Sequence, residues 1–371
     1  MASTSRERQK HEKRLEKQLK DMPFYVVEYI RDKKRSRYSP STLLVYVHDF
    51  RHFFQWLITE GIARCEQIKD IPLEILENLR KKDVEFYIDY LTDEPYEQRK
   101  NVFKKRTHDS VLRSIHALKS LFNYLTTETE DENGECYFYR NVFAKIETYK
   151  EKETANRRTK KINSVLLKGP EIKEFLDFMK YEYETLLNSH QKRCFLRDKE
   201  RDIAIISLIL GSGARVDEIA NLTLENIDFK KAQIDIVRKG NKQDTINVLP
   251  SSLEDLKNYL GVRKERYKAT DEDVYVFLSK YGGKAQPISV RTIQNNIKKY
   301  TKAFSGKTLS PHKLRHTFAS EWLRSGGELV LLRDQLGHNS IETTAKYTNL
   351  DNEEAKKVIN RMDTLFEDDN N

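Results

Sequence analysis

Apolar residues recur at steps of three and four through most of this chain, the period of one face of an α-helix. The clearest run is Leu43, Val47, Phe50, Phe54 and Leu57. Ser39-Pro40 precedes it, an N-cap followed by the residue whose missing N–H is harmless in a first helical turn. A second run opens at Thr107, after the basic triplet Lys104-Lys105-Arg106, and carries Val111, Ile115, Leu118, Phe122 and Leu125. Between Met22 and Glu147 this pattern predicts a bundle of about four or five helices whose aromatics serve the core. The stretch 148–164 is almost free of apolar side chains and reads as a linker, with basic residues able to follow a phosphate backbone.

In the second half, Pro170 starts a helix with Ile172, Phe175, Leu176 and Met179 as its buried stripe. A strongly apolar helix follows from Ile203 to Leu210, broken by Gly211-Ser212-Gly213, and another opens near Val216. The period then changes to two. Ile234 and Ile236 alternate with polar neighbours, Arg238-Lys239-Gly240-Asn241-Lys242 turns, and Ile246 and Val248 return. That is a β-hairpin with a basic tip. Helices are expected from there to the end. The fold expected is mainly α: an N-terminal helical bundle and a mostly helical second domain with a small antiparallel sheet.

Composition narrows the class. The 371 residues suit two domains, and 38% apolar against 34% charged residues is enough for two modest cores. The net charge of +9 favours a polyanionic partner, nucleic acid before membrane. Cys65, Cys136 and Cys194 are far apart and lack C-x-x-C spacing, against a disulfide framework or a cysteine zinc site. No apolar run approaches the ~20 residues that span a bilayer. Met1 to Lys20 is charged throughout, unlike a secretory signal, so no membrane insertion and a cytoplasmic location are expected. That basic segment is either a solvated tail or an arm touching DNA. Nucleotide-binding motifs fail: Gly306-Lys307-Thr308 has Thr301 where a P-loop needs glycine, and Gly211-x-Gly213 is followed by Val216. Lys313 after His312 excludes H-E-x-x-H. No metal or other cofactor is expected.

Three segments carry candidate chemistry. Arg215, in Gly213-Ala214-Arg215-Val216-Asp217-Glu218, stands where a glycine turn feeds a helix and can aim a guanidinium at an anion. Ser310-Pro311 opens a helix with His312 and Arg315 on one face of its first turns, a phosphate clamp in the field of a helix N-terminus. His316 is displaced from that face and reads as structural. Gly337 ends a helix and leaves His338 at the turn, nine residues before Tyr347, itself one of 19 tyrosines.

In this order, Arg215, Lys239 in the hairpin, His312-Lys313-Leu314-Arg315-His316-Thr317-Phe318-Ala319, Leu336-Gly337-His338 and Tyr347 resemble the tyrosine recombinase (phage-integrase-type) family. Further segments resemble its Xer branch: Met22-Pro23-x-Tyr25-Val26, Phe53-Phe54-x-Trp56-Leu57, Tyr137-Phe138-Tyr139-Arg140-Asn141-Val142 and Lys199-Glu200-Arg201-Asp202-x-Ala204-Ile205-Ile206. The resemblance implies a SAM-like core-binding domain and a catalytic domain. It also implies a phenol that attacks a phosphodiester, leaving a 3′-phosphotyrosyl link and a 5′-hydroxyl. Tyr347 would be the nucleophile, and Arg215, Arg315 and His338 would stabilise the anionic phosphorus. Lys239 would protonate the leaving oxygen, His312 would accept the phenol proton or orient it, and Glu218 would hold Arg215 in place. The segments are then an arm 1–20, a core-binding domain 21–150, a linker 151–165, a catalytic domain 166–350 and a tail helix 351–371.

The implied partner is double-stranded DNA, at a dif-like or attachment site, bound by a homotetramer on synapsed duplexes, with a cell-division DNA translocase as a possible controller. Lys105, Arg106 and Arg113 are the candidate DNA contacts. Val358, Ile359, Met362, Leu365 and Phe366 form an apolar stripe that either packs on its own domain or is exchanged between protomers. Resolution of chromosome dimers and integration of a phage or mobile element share this chemistry. A non-catalytic DNA-binding protein is the rival of another class, but it has no use for six reactive positions in order.

Overall fold

The computed structural model describes residues 6–99, 101–149, 166–238 and 242–345. The chain forms two units, divided between Glu151 and Lys152.

The first unit contains α1 (Arg6–Leu19), α2 (Phe24–Arg35), α3 (Pro40–Thr59), α4 (Leu73–Glu77), α5 (Lys81–Asp93) and α6 (His108–Thr127). Ser39 caps α3 as its position demands, its Oγ accepting the Thr42 N–H at 3.2 Å. Thr107 does the same for α6 through the Ser110 N–H at 3.3 Å. Both predicted stripes are buried, and Tyr29, Phe50, Phe53 and Tyr87 interlock edge to face around them. The basic N-terminal segment is a helix over its described residues, anchored by the buried Leu15.

One element was not expected. Between α5 and α6 lies a hairpin of β1 (Tyr96–Arg99) and β2 (Val102–Lys104), turned at Asn101 with φ +62°. Val102 and Phe103 are both exposed, so no alternation of apolar and polar residues announced the strands.

The second unit begins with α7 (Pro170–Asp177), then α8 (Ser189–Ser212), α9 (Val216–Ala220), a sheet of β3 (Ile227–Asp228), β4 (Gln233–Arg238) and β5 (Lys242–Asn247), and α10 (Pro250–Tyr267). A hairpin of β6 (Leu278–Tyr281) and β7 (Lys284–Pro287) follows. Then come α11 (Val290–Ser305), α12 (Pro311–Arg324), α13 (Leu329–Leu336) and α14 (Ile341–Ala345). The β4–β5 pairing sets Ile234 opposite Ile246 and Arg238 opposite Lys242, as the alternation required. Expecting only helices after it was wrong, because Gly282 and Gly283, both at positive φ, turn the β6–β7 hairpin. The apolar helix is also longer than read. It starts at Ser189, capped by Asn188 whose side chain accepts the Gln191 N–H, and runs through Gly211 to Ser212. Gly211 is inside the helix for closeness: a Cβ there would lie 2.1 Å from Ser252 Oγ of α10.

The polar half of α8 carries a buried ion network. Arg201 donates to Asp202 at 2.7 and 2.9 Å and to the Leu278 carbonyl at 3.0 Å. The other Asp202 oxygen accepts from Tyr300 at 2.6 Å and Asn296 at 3.0 Å. Asp198 Oδ1 also lies 3.2 Å from Arg201 Nη1, so removing Asp202 leaves the arginine one of its two carboxylates and strips Tyr300 and Asn296 of their acceptor, a loss at the lower end of the buried-pair range, about 3 kcal/mol. Asp202→Ala should therefore destabilise the second unit by that order, read as faster hydrogen exchange in α8. A change below about 1 kcal/mol, the worth of a surface pair, would reject the network as a structural centre.

Candidate active site

Three turns meet in the second unit. Gly213 ends α8 at φ +69°, and a Cβ there would lie 2.5 Å from Phe318. Arg215 follows as the N-cap residue of α9, its side chain part-exposed. Glu218, buried beneath it, accepts the Arg215 backbone N–H at 2.7 Å and its Nη1 at 3.0 Å. The loop and the guanidinium are thus held by one carboxylate.

Arg315 comes from the second turn of α12 and is 1% exposed. Its Nη1 donates to the Gly213 carbonyl at 2.7 Å and its Nη2 to the Leu336 carbonyl at 2.6 Å. The same Nη2 lies 3.3 Å from His338 Nε2. Arginine has no acceptor atom, so this nitrogen of His338 accepts and Nδ1 carries the proton, donating to Thr344 Oγ1 at 2.9 Å. Arg215 Nη2 reaches the Gly337 carbonyl at 3.5 Å. Ser310 sits at the N-cap of α12 as expected, but its hydroxyl makes no cap bond. His312 presents an exposed edge, with the His316 ring 4.2 Å away and edge-on.

Arg215, Glu218, His312, Arg315 and His338 are therefore brought together from three stretches of chain. Lys239 and Tyr347 lie outside the described residues, as do the linker and the tail stripe. Sequence reasoning missed Arg238. Its place in the basic tip suggests an exposed cation, but it is 7% exposed and donates to the carbonyls of Leu336 at 2.7 Å and Gln335 at 2.8 Å. Its parity with Ile234 and Ile236, which places all three on one strand face, was the available signal. Gln335 was also missed. Its amide bonds the Ser212 and Asn247 carbonyls at 2.9 and 2.8 Å, tying α13 to α8 and β5.

Burial, and after it the many cations in one place, holds the imidazoles neutral. His338 is pushed down to about 4, by burial first and then by Arg315, Arg215 and Arg238. His316 falls to about 3, by burial and then by His312, Lys313 and Arg315. His312 is lowered too, by loss of bulk water and by Arg315, Lys313 and Arg215. Among the described residues no cluster of His, Cys, Asp and Glu could hold a metal ion, and no helix is long and apolar enough to cross a membrane.

In the first unit the three candidate DNA contacts differ. Lys105 is exposed, 3.7 Å from Asp93. Arg113 pairs with the buried Asp49 at 3.3 Å and keeps half its surface in solvent. Arg106 Nη2 donates to His52 Nε2 at 2.7 Å, and the His52 Nδ1 lies 3.1 Å from Tyr87 Oη. Burial and the Arg106 charge push His52 down to about 4, so it stays the neutral acceptor that this contact needs.

A family model described as the phage integrase family matches residues 171–354. Tyrosine recombinase XerS of Streptococcus agalactiae is 41% identical over 341 residues, covering 92% of this chain and 96% of that protein. The chain belongs to the tyrosine recombinase family. XerS of Streptococcus thermophilus is 40% identical over 344 residues with the same coverage. Among solved structures, XerH recombinase bound to a palindromic difH substrate in a post-cleavage complex has a TM-score of 0.59 at 19% identity, covering 88% of this chain and 81% of that one. A lambda integrase dimer bound to a COC′ core site has a TM-score of 0.53 at 15% identity, covering 88% and 94%. At such identities these two speak for the mainly helical fold. The recombinase is an enzyme that cuts and rejoins DNA.

The depressed histidines set a sign for pH dependence. Between pH 6.5 and about 4 the unfolded chain takes up protons that folded His338 refuses, so stability falls as pH falls through that window. Denaturant titrations at pH 7.5 and 5.5, above the carboxylate range, should show lower stability at 5.5, and His338→Asn should flatten the difference. An unchanged slope in the variant would reject the assignment.

Proposed function

We propose that this recombinase resolves chromosome dimers at a dif-type site, using Tyr347 as nucleophile. The observation that carries the role is identity of about two residues in five with XerS proteins along nearly the whole length of both chains. Integration of a phage or mobile element is the alternative, supported only by the shared family model.

In the proposed reaction the Tyr347 Oη–phosphorus bond forms as the bond to O5′ breaks. Arg215 and Arg315 carry the charge of the non-bridging oxygens. Each donor of this kind is worth about 2.7–4 kcal/mol in a transition state. Neutral His312 takes the phenol proton. Lys239 gives a proton to the departing O5′. His338 stands as an acceptor toward Arg315, so it donates to phosphate only after its proton moves to Nε2, with Thr344 then donating to Nδ1. Glu218 keeps Arg215 aimed. Reversal with a new 5′-hydroxyl rejoins the strand, the bond energy having stayed in the phosphotyrosyl link.

The assembly follows the same reading: 21–150 and 166–350, joined by a linker at 151–165, each bind the duplex, four protomers synapse two sites, and the tail helix 351–371 docks on a neighbour. A DNA translocase of the division machinery would act on this cytoplasmic assembly.

A nicked dif-like duplex traps the covalent intermediate. The recombinase should give a protein–DNA band that Tyr347→Phe abolishes, and a band persisting in the variant would reject the nucleophile. In the first unit, Lys105, Arg106 and Arg113 are read as phosphate contacts. Replacing Arg106 or Arg113 by Ala should weaken binding of every sequence alike and lower the slope of log affinity against log salt by about 0.9 each. An unchanged slope would remove that residue from the interface.

A further inference from the structure

Arg238 belongs to none of the roles assigned above, yet it is more deeply committed than most of the site. It is the last described residue of β4, and Lys239 follows it directly. Its Nε donates to Asp244 Oδ2 of β5 at 2.6 Å. Its Nη1 donates to the Leu336 carbonyl at 2.7 Å and lies 3.7 Å from Glu218 Oε1. Its Nη2 serves the Gln335 carbonyl at 2.8 Å and the Asp334 carbonyl at 3.4 Å. These bonds run to a strand carboxylate and to the end of a helix, which makes the guanidinium a buckle between the two.

What it buckles is specific. The last carbonyls of a helix have no partners within the helix and form its negative end. Arg238 fills that role for α13, whose next residues are Gly337 and His338. The turn is shaped to admit it: Gly337 is left-handed at φ +62°, and a Cβ there would lie 2.4 Å from Arg238 Cζ. Through one side chain, the strand that ends just before Lys239 in sequence is fixed to the turn that presents His338. The pair Arg238–Lys242 closes the described part of the hairpin, so only residues 239–241 separate the buckle from the returning strand.

We propose that Arg238 is a positioning residue for DNA cleavage, setting the placement of Lys239 by bolting β4 to the C-terminal end of α13. This rests on the reading of Lys239 as an active-site group. Misplacement of a reacting group by about an ångström costs on the order of 100-fold in rate. Arg238→Ala should slow single-turnover cleavage of a nicked dif-like duplex by about 10- to 100-fold while changing duplex affinity less than about threefold. Asp244→Asn keeps the shape, loosens only the Nε contact, and should slow cleavage several-fold, which covers the case of a poorly folding alanine variant.

The deciding measurement is the double variant. If Arg238 acts through Lys239, Arg238→Ala in a Lys239→Ala background slows cleavage no further, and so does Asp244→Asn. Multiplying effects, or cleavage and DNA binding falling together, would overturn the proposal. A duplex with sulfur in place of the scissile O5′ separates this from the reading beneath it, because a thiolate leaves without a proton. On it, Lys239→Ala and Arg238→Ala should both recover. Recovery of the lysine variant alone overturns the role of Arg238. Recovery of neither removes the general-acid role of Lys239, and the double variant on the natural duplex still decides whether Arg238 works through it.

Discussion

The end of one short helix organises the catalytic half of this recombinase. Carbonyls at the C-terminus of α13 lack helical partners, and burying them unpaired would cost about 1–3 kcal/mol each. Arg238 and Arg315 supply the missing donors, from a strand and from another helix, while Arg215 reaches the next carbonyl. Segments about 100 residues apart in sequence are therefore forced to meet at one point. The reactive groups need only be neighbours of these anchors to arrive at one place.

That arrangement has an electrostatic consequence. Three guanidiniums and a lysine surround the imidazoles, and protonating a histidine there would add charge to charge. Together with burial, which contributes most, this charge leaves the histidines neutral. Among the described residues, the carboxylates bonded to these cations are Glu218 and Asp244, too few to match them. Such excess is tolerable because the ligand is a polyanion, whose phosphates bring the missing negative charge. The first unit solves a related problem differently: Arg106 leans on a neutral His52 and Arg113 on the buried Asp49, so both cations are oriented before any ligand arrives.

Much of the fold was readable where burial followed a period. The stripes of α3 and α6, their Ser39 and Thr107 caps and the β4–β5 hairpin all match. The failures share a cause. Val102 and Phe103 face solvent, so β1–β2 has no alternation to detect. The first half of α8 is polar because, Phe195 apart, it faces solvent, and at its middle Arg201 and Asp202 satisfy each other inside the protein, which a hydrophobicity pattern scores as surface. Arg238 was hidden the same way, a charged residue on an inward-facing parity. Five candidate site residues converge: four arginines and histidines whose types pointed to an anion, and Glu218 beside Arg215, at turns legible from glycine and proline. The bonds that anchor them to Gly213, Leu336 and Gly337 were not legible, because these run to backbone carbonyls that no side-chain pattern encodes.

The contact between Arg238 and Gly337 also constrains the mutational paths open to this protein. A side chain at 337 collides with the guanidinium, even one such as asparagine that tolerates a left-handed backbone. Shortening residue 238 clears the space. The two positions are thus coupled: a side chain at 337 displaces the guanidinium from the helix end it serves, and a shorter residue at 238 removes that cost but not the cost of the left-handed backbone.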